Sequence, residues 1–414
     1  MPHSLLRVRD PLGLHALRHN DGMLEKSSPF AARMADIEPF HVMDVQNRAQ
    51  ELEAKGRRIV HMEIGQPDFP APPQVAEAAV EAIRTRRLGY TASLGIPELR
   101  QAISDHYRDR FGVTVPASRI VVTAGASGAF LLALGVLLDR GDEVLMPDPC
   151  YPCNRHFVRM FEGRARPVPV DESSLYQLTD ATVRSNWSTA TRGVLIASPS
   201  NPTGTAIPRG ELRAIVGSAR RAGGFVVVDE IYQGLVYDER ATTVLDITED
   251  VFVVNSFSKY FNMTGWRLGW LVAPETYVRE IEKLAQNAFI CPSAPAQYAA
   301  LSAFKPETIG VLEDRRREFQ RRRDYMVPAL RKLGFRIPVM PQGAFYIYAG
   351  CERFASDSAE FALRVLEEAG VAITPGLDFG SHRPERHVRF AYTRSLEDLK
   401  EGVRSIAQML EPRA

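Results

Sequence analysis

The sequence predicts an α/β fold, a mostly parallel sheet sandwiched by helices, followed by a smaller α+β domain. Three observations carry this. Short strand-like runs at residues 143–146, 194–197, 226–228 and 251–254 recur between helical patterns, as parallel strands with crossover helices do. The residues that end or follow such runs include Gly125, Asp148, Asn201, Asp229 and Lys259, and in such sheets ligands gather at the carboxyl ends of strands. After about residue 301 the character changes to a long helix rich in Arg and Glu, then mixed strands and helices.

At 414 residues and 45% hydrophobic, the chain is long enough for more than one domain. A net charge of +1 gives no electrostatic case for nucleic acid or membrane as partner. The longest apolar run, 124–138, is too short to span a bilayer and reads as a buried helix. The start lacks a basic region followed by an apolar core, so no secretory signal is expected. Of the four cysteines, Cys150 and Cys153 have redox-motif spacing but follow a strand in mid-chain, and no second close pair completes a zinc site. Reduced thiols, no metal and a cytoplasmic location are the expectation.

In chain order, residues 1–29 have weak periodicity and are expected to form a disordered tail, with Met23 and Met34 as alternative starts. Residues 30–55 read as a helix with Ile37, Val42, Val45 and Leu52 apolar, and 59–64 as a short strand ending in the rigid connector Gly65-Gln66-Pro67-Asp68-Phe69-Pro70. This segment, 30–66, is expected to join the small domain. Residues 67–300 form the large domain. Within it 74–84 is an amphipathic helix, and after the loop 89–95 Pro97 suits the first turn of the next helix. A strand at 120–122 runs into Thr123-Ala124-Gly125-Ala126-Ser127-Gly128, then a helix over about 129–138. Such a turn offers free amides and a positive dipole end to an anion, although small residues there also serve close packing. The alternating strands follow, with a helix at 211–221 and a last strand at 268–272. Residues 301–414 form the small domain: a helix to 333, strands at 344–348 and 387–391, helices at 358–368 and 396–410. The cleft is expected between the domains.

Ser256-Phe257-Ser258-Lys259 follows the apolar strand 251–254, so Lys259 sits just past a strand end among Phe257, Tyr260 and Phe261. The other six lysines lie in charged or tail-like segments. A lysine in an apolar surround has a lowered pKa, and the neutral amine is the nucleophile. A snorkelling lysine is the plain alternative. Two hydroxyls before Lys259 and Arg267 eight residues on suit a phosphate, and together they point to pyridoxal phosphate held as a Schiff base. Asn201, in the turn Ser198-Pro199-Ser200-Asn201-Pro202-Thr203-Gly204, is placed to donate to a phenolate oxygen. Asp229 ends a buried strand and needs a cation, which a protonated pyridine supplies; helix capping is the alternative role. Tyr232 is near enough to share the phenolate.

The joint occurrence of Asn201-Pro202-Thr203-Gly204, Asp229-Glu230-Ile231-Tyr232, Ser256-Phe257-Ser258-Lys259, Gly265-Trp266-Arg267-Leu268-Gly269-Trp270 and Val388-Arg389-Phe390-Ala391-Tyr392 resembles the class I/II aminotransferases of fold type I, over roughly residue 33 to the C-terminus. The resemblance implies a seven-stranded sheet, pyridoxal 5'-phosphate as cofactor, and ping-pong transfer of an amino group from an L-amino acid to a 2-oxo acid, with 2-oxoglutarate the expected acceptor. It implies that Lys259 binds the cofactor and shuttles the proton, that Asp229 pairs with the pyridine nitrogen, and that Asn201 and Tyr232 bond the phenolate. Ser256, Arg267 and the amides of Ala126 and Ser127 would hold the phosphate, and Tyr151 would stack on the ring. Tyr90 would reach the neighbouring subunit's phosphate, implying a homodimer. Arg389 would clamp the substrate α-carboxylate, helped by the backbone of Gly65. Asp148-Pro149 and Asn201-Pro202 become candidate cis peptides.

Ser127 stands where some aspartate-preferring relatives carry a lysine for a second carboxylate; Arg155 is the substitute to check. Without that cation, Tyr90, Phe40 and Ile37 would favour an apolar substrate side chain. A carbon–sulfur β-lyase or an aminocyclopropane-carboxylate synthase on the same fold is the competing enzyme. An aminotransferase-like ligand-sensing regulator is the competing non-enzyme, and the residues before 30 show no helix-turn-helix pattern.

Overall fold

A strand apolar on both faces must be covered on both faces, and the β-branched runs of this chain achieve that in one sheet. The computed structural model describes residues 30–411, so the expected tail at 1–29 lies outside the described residues. The strands are β1 Val60–His61, β2 Ile120–Thr123, β3 Glu143–Asp148, β4 Arg164–Pro169, β5 Thr191–Ala197, β6 Phe225–Asp229, β7 Phe252–Ser256, β8 Gly269–Val272, β9 Tyr346–Gly350, β10 Val371–Ala372, β11 Thr374–Pro375 and β12 His387–Ala391. Seven of them form one sheet in the order β2-β8-β7-β6-β5-β3-β4. Neighbours are parallel except at β8, which runs against both β2 and β7.

Alternate side chains feed two cores. Val121, Val144, Leu195, Val227 and Val254 pack with the helices Gly125–Leu137 and Glu275–Ala288. Val122, Leu145, Val194, Val226, Val228 and Val253 pack on the other face with Pro97–Phe111 and Arg209–Arg221. Each fully buried valine or leucine contributes about 1.5–3 kcal/mol, so the sheet is a rigid platform for whatever its edge carries.

The remaining strands tie the two ends of the chain together. β9, β12 and β11 form an antiparallel sheet in the order β11-β12-β9, and β1 pairs in parallel with β10. The residues just after β1 are thereby delivered next to β12 and its Arg389.

Several expectations are corrected. The helix expected over 30–55 is a 3-10 turn, Ala32–Asp36, and a separate α-helix, Val42–Ala54, because Pro39 between them restricts its predecessor and lacks an amide. The long helix starts at Pro306 rather than 301, for the same reason at Lys305, which is extended. The strand expected over 59–64 is only Val60–His61. The pattern at 358–368 is an α-helix, Ser358–Arg364, finished by a π-helical turn, Val365–Ala369. β4, β10, β11 and the helix Cys153–Met160 were not anticipated. Asp148-Pro149 and Asn201-Pro202 are both cis, and so is Ser198-Pro199.

Candidate active site

The antiparallel β8 creates the first part of the site. Gly269, its first residue, pairs with Thr123 of β2 on one side and Ser256 of β7 on the other. Arg267 precedes Gly269, so it arrives at the carboxyl edge beside the turns that follow β2 and β7. Its backbone is left-handed, φ 51°. Gly125, φ +71°, lies so close that a Cβ there would sit 2.5 Å from Arg267 Nη2. The helix Gly125–Leu137 begins with no side-chain cap, leaving its first amides to a ligand. Ser256 Oγ donates to Ser258 Oγ at 2.9 Å. Ala126, Ser127, Ser256, Ser258 and Arg267 share one cavity of about 350 Å³. Among the described residues, Arg267 has no carboxylate partner.

Lys259 enters the same cavity three residues beyond β7. Its Nζ donates to the Gly65 carbonyl at 2.7 Å and lies 5.8 and 5.7 Å from the ring centroids of Tyr232 and Phe345. Desolvation, reinforced by the charges of Arg389 and Arg267, pushes its ammonium down to about 8. The lowered basicity was expected, but its apolar surround is not the one expected. Phe257 and Phe261 turn into a ring cluster with Trp270 and Phe304, and the Tyr260 hydroxyl bonds Glu313. Residues just past a buried strand continue its core-facing pattern, and the lysine faces the other way.

Asp229 ends β6 in the cavity. Its Oδ1 accepts from the Ile231 amide at 3.0 Å, and among the described residues it forms no salt bridge. Burial pushes its carboxyl up to about 7, against the opposing pull of that amide and of Lys259. Glu230 points away and accepts from Thr243 Oγ1 and the Val244 amide. Of the two adjacent carboxylates, therefore, only Asp229 lines the cavity.

Arg389, buried, donates to Asn201 Oδ1 at 2.9 Å and to Thr374 Oγ1 at 3.1 Å, and its Nη2 also reaches the Glu63 carbonyl. Its Cζ lies 4.4 Å from the Tyr346 ring centroid and 4.8 Å from that of Phe379. Its Nε has no hydrogen-bond partner and the guanidinium forms no salt bridge, among the described residues, although its charge acts on the Asp378 carboxyl in the same cavity. With Oδ1 taken, Asn201 keeps its amide nitrogen as a donor. The Tyr232 hydroxyl is 2.9 Å from that of Tyr346. Tyr151, Gly65 and Phe40 also line the cavity.

Other expected residues are not brought in. Tyr90 is 84% exposed and outside its own chain's cavity. Ile37 and Arg155 do not line it either; Arg155 donates to the Asp378 carbonyl at 3.1 Å. Asp148 accepts from the Ser381 amide and hydroxyl and from the His382 amide, closing a loop rather than facing a ligand. Sequence reasoning missed Tyr346, Phe379, Phe130 and Asp378, which all line the cavity. The only sequence signal for Tyr346 was its place in an expected strand, which does not say which face meets the cleft.

The model of the class I and II aminotransferases matches residues 57–406. The chain belongs to the class I and II aminotransferases. This aminotransferase is 39% identical to a valine–pyruvate aminotransferase of Mycobacterium tuberculosis, covering 92% of this chain and 98% of that one. It is 35% identical to a probable aspartate/prephenate aminotransferase of Aquifex aeolicus, covering 92% and 98%. Among solved structures it superposes on an aminotransferase from Mycobacterium tuberculosis at TM-score 0.89 (39% identity, covering 93% and 99%). It superposes on the aspartate aminotransferase of Thermus thermophilus with maleate at TM-score 0.87 (31%, covering 92% and 100%). The cofactor of the aminotransferase is pyridoxal 5'-phosphate, and the cavity's donor set fits it. An uncapped helix start with an arginine lacking a carboxylate partner suits its phosphate, a buried aspartate that forms no salt bridge among the described residues suits its pyridine nitrogen, and a lysine of lowered basicity suits its aldehyde.

Proposed function

We propose that the enzyme moves the amino group of an L-amino acid with an apolar side chain to a 2-oxo acid, 2-oxoglutarate being the expected acceptor, by a ping-pong mechanism. The observation that carries this is the enclosure of Lys259, Asp229 and Arg389 in one cavity whose further lining includes Phe40, Val42, Met43 and Phe130. When bound, the cofactor supplies an electron sink for charge that develops at the substrate Cα.

Each residue has a task that its setting supports. Lys259, with its amine near neutrality, would hold the cofactor covalently and, once displaced, carry the proton to and from Cα. Asp229 would give up its proton beside the pyridine nitrogen, since a cation there relieves the cost of its burial. Asn201 and Tyr232 would donate to the ring oxygen. Tyr151 would stack on the ring. The amides of Ala126 and Ser127, with Ser256 and Arg267, would hold the phosphate. Arg389 would take the α-carboxylate in a two-pronged contact; its fixed position between Tyr346 and Phe379 leaves little to reorganise. The backbone of Gly65 would border the same group.

A homodimer is part of this reading. Tyr90, exposed on its own chain, is the residue that would reach a second copy's phosphate site. The four free thiols agree with a cytoplasmic location. The test is to load the enzyme with its cofactor, add one amino donor without acceptor, and quantify the 2-oxo acid formed. One equivalent per site, with turnover only after 2-oxoglutarate is added, supports the proposal. Continuous release of pyruvate and ammonia from the donor alone overturns it.

A further inference from the structure

Tyr346 stands between the two halves of the cavity. Its hydroxyl meets that of Tyr232, and its ring lies against the Arg389 guanidinium. The fold fixes it tightly. Tyr346 and Tyr348 alternate with Ile347 along β9 and share a face, and Tyr348 is the cross-strand partner of Arg389, so Tyr346 is the arginine's diagonal neighbour. Tyr232 and Phe345 meet its ring edge to face, at 5.6 Å and 4.9 Å between centroids. Gly65 lies so close to the hydroxyl that a Cβ there would be 1.7 Å from it. A buried hydroxyl needs a partner, and Tyr232 is the one present.

On the reading above, Tyr232 donates its proton to the cofactor's ring oxygen. Its lone pairs are then what Tyr346 can meet, and the only proton left for the pair is that of Tyr346. We propose that Tyr346 is a positioning residue: it donates to Tyr232, aims the Tyr232 proton at the ring oxygen, and through its ring sets the plane of Arg389. Donors in a chain polarise one another, so the outer hydroxyl strengthens the inner one. Burial keeps both phenols protonated, as the chain requires. One side chain thereby joins cofactor charge at one end to carboxylate capture at the other.

The experiment is a pH titration of the visible absorbance of the cofactor-loaded enzyme, compared among wild type, Tyr346→Phe and Tyr232→Phe. A donor to the ring oxygen favours the more negative form, so weakening it moves the transition to higher pH. Tyr232→Phe is expected to shift it upward most, and Tyr346→Phe by about half a unit. Tyr346→Phe keeps the ring, so KM for the amino donor stays within about twofold, whereas Tyr346→Leu raises it about tenfold. A shift in Tyr232→Phe with none in Tyr346→Phe overturns the role of Tyr346 and leaves that of Tyr232 standing. No shift in Tyr232→Phe overturns the underlying reading of the site, and this inference with it. Equal KM effects of Phe and Leu overturn the part of the ring. Should the leucine variant fail to fold, the titration of the phenylalanine variant decides alone.

Discussion

The Lys259 amine and the Gly65 carbonyl meet across the cavity at 2.7 Å, although 194 positions separate them. The first connector of the chain is thus held against the edge of the central sheet, and Gly65 is wedged against Tyr346. Gly65→Ala should therefore be among the most damaging small changes in the molecule. Its methyl would collide with the Tyr346 hydroxyl and with ring carbons behind it, so removing the hydroxyl relieves only part of the clash. The expected result is a loss of ~1–3 kcal/mol in stability and at least a tenfold rise in donor KM. Chemical denaturation and steady-state kinetics check it, and a normal KM would show that the connector yields.

Lys259 should be the site of covalent cofactor attachment. Borohydride reduction and peptide mapping should place the pyridoxyl group there, and Lys259→Ala should lose at least about 10⁴-fold in turnover. The reactive form is the neutral amine, and the ammonium titrates near 8. Cofactor capture by the cofactor-free enzyme should accelerate about tenfold per pH unit below that value and level off above it. A flat profile between pH 6 and 8 would mean that another step limits capture.

Asp229→Asn should lose activity by at least about 100-fold, because a neutral partner does not favour a protonated pyridine. Its effect on the cofactor-free fold should have the opposite sign. The wild-type carboxyl keeps its proton up to about pH 7 when folded but releases it near 3.8 when unfolded. Stability contributed by that proton is complete at low pH and is lost as pH rises through 7. Asparagine has no such loss. The cofactor-free variant should melt higher than cofactor-free wild type at pH 8, with the gap closing toward pH 4. Near-normal turnover, or a gap that widens on acidification, would contradict the assignment.

The Asp378 carboxylate accepts from the amides of His41 and Val42, at 2.7 and 2.9 Å, where the helix Val42–Ala54 lacks a side-chain cap of its own. That helix start brings Phe40, Val42, Met43 and Gln46 to the cavity wall. Asp378→Ala should cost about 1 kcal/mol in stability and raise KM for apolar donors several-fold, with little change for alanine. A stability loss with all KM values unchanged would separate this segment from substrate recognition.

Among the described residues lining the cavity, the cationic groups are Lys259, Arg267 and Arg389. On the proposed reading Lys259 and Arg267 engage the cofactor, which leaves Arg389 for one carboxylate. Leucine, methionine and phenylalanine should therefore serve at least as well as aspartate, with discrimination of only ~1–3 kcal/mol per methylene. Comparison of kcat/KM across aspartate, alanine, leucine, methionine and phenylalanine tests this. A hundredfold lead for aspartate would reveal a further cation, brought in by closure or by a second copy.

The sequence by itself determined the sheet and what stands on its edge. β-branched runs form strands wherever they can be covered, and a residue just past such a run reaches the carboxyl edge by chain connectivity alone. That is why Asn201, Asp229 and Lys259 were legible as neighbours, and why the family was legible from their motifs. Local chemistry also misled where it lacked a partner. Asp148 sits at the same edge yet is consumed by the loop at Ser381, and the helical pattern over 30–55 hides the break at Pro39. Only the tertiary structure decided that the Glu63 carbonyl holds Arg389, that Gly65 meets Lys259, and that Tyr346 touches both Tyr232 and Arg389. Each of these contacts joins residues well over a hundred positions apart, or depends on which face of a strand turns inward. Periodicity reports burial, but the register and the crossing of the chain choose which buried groups meet.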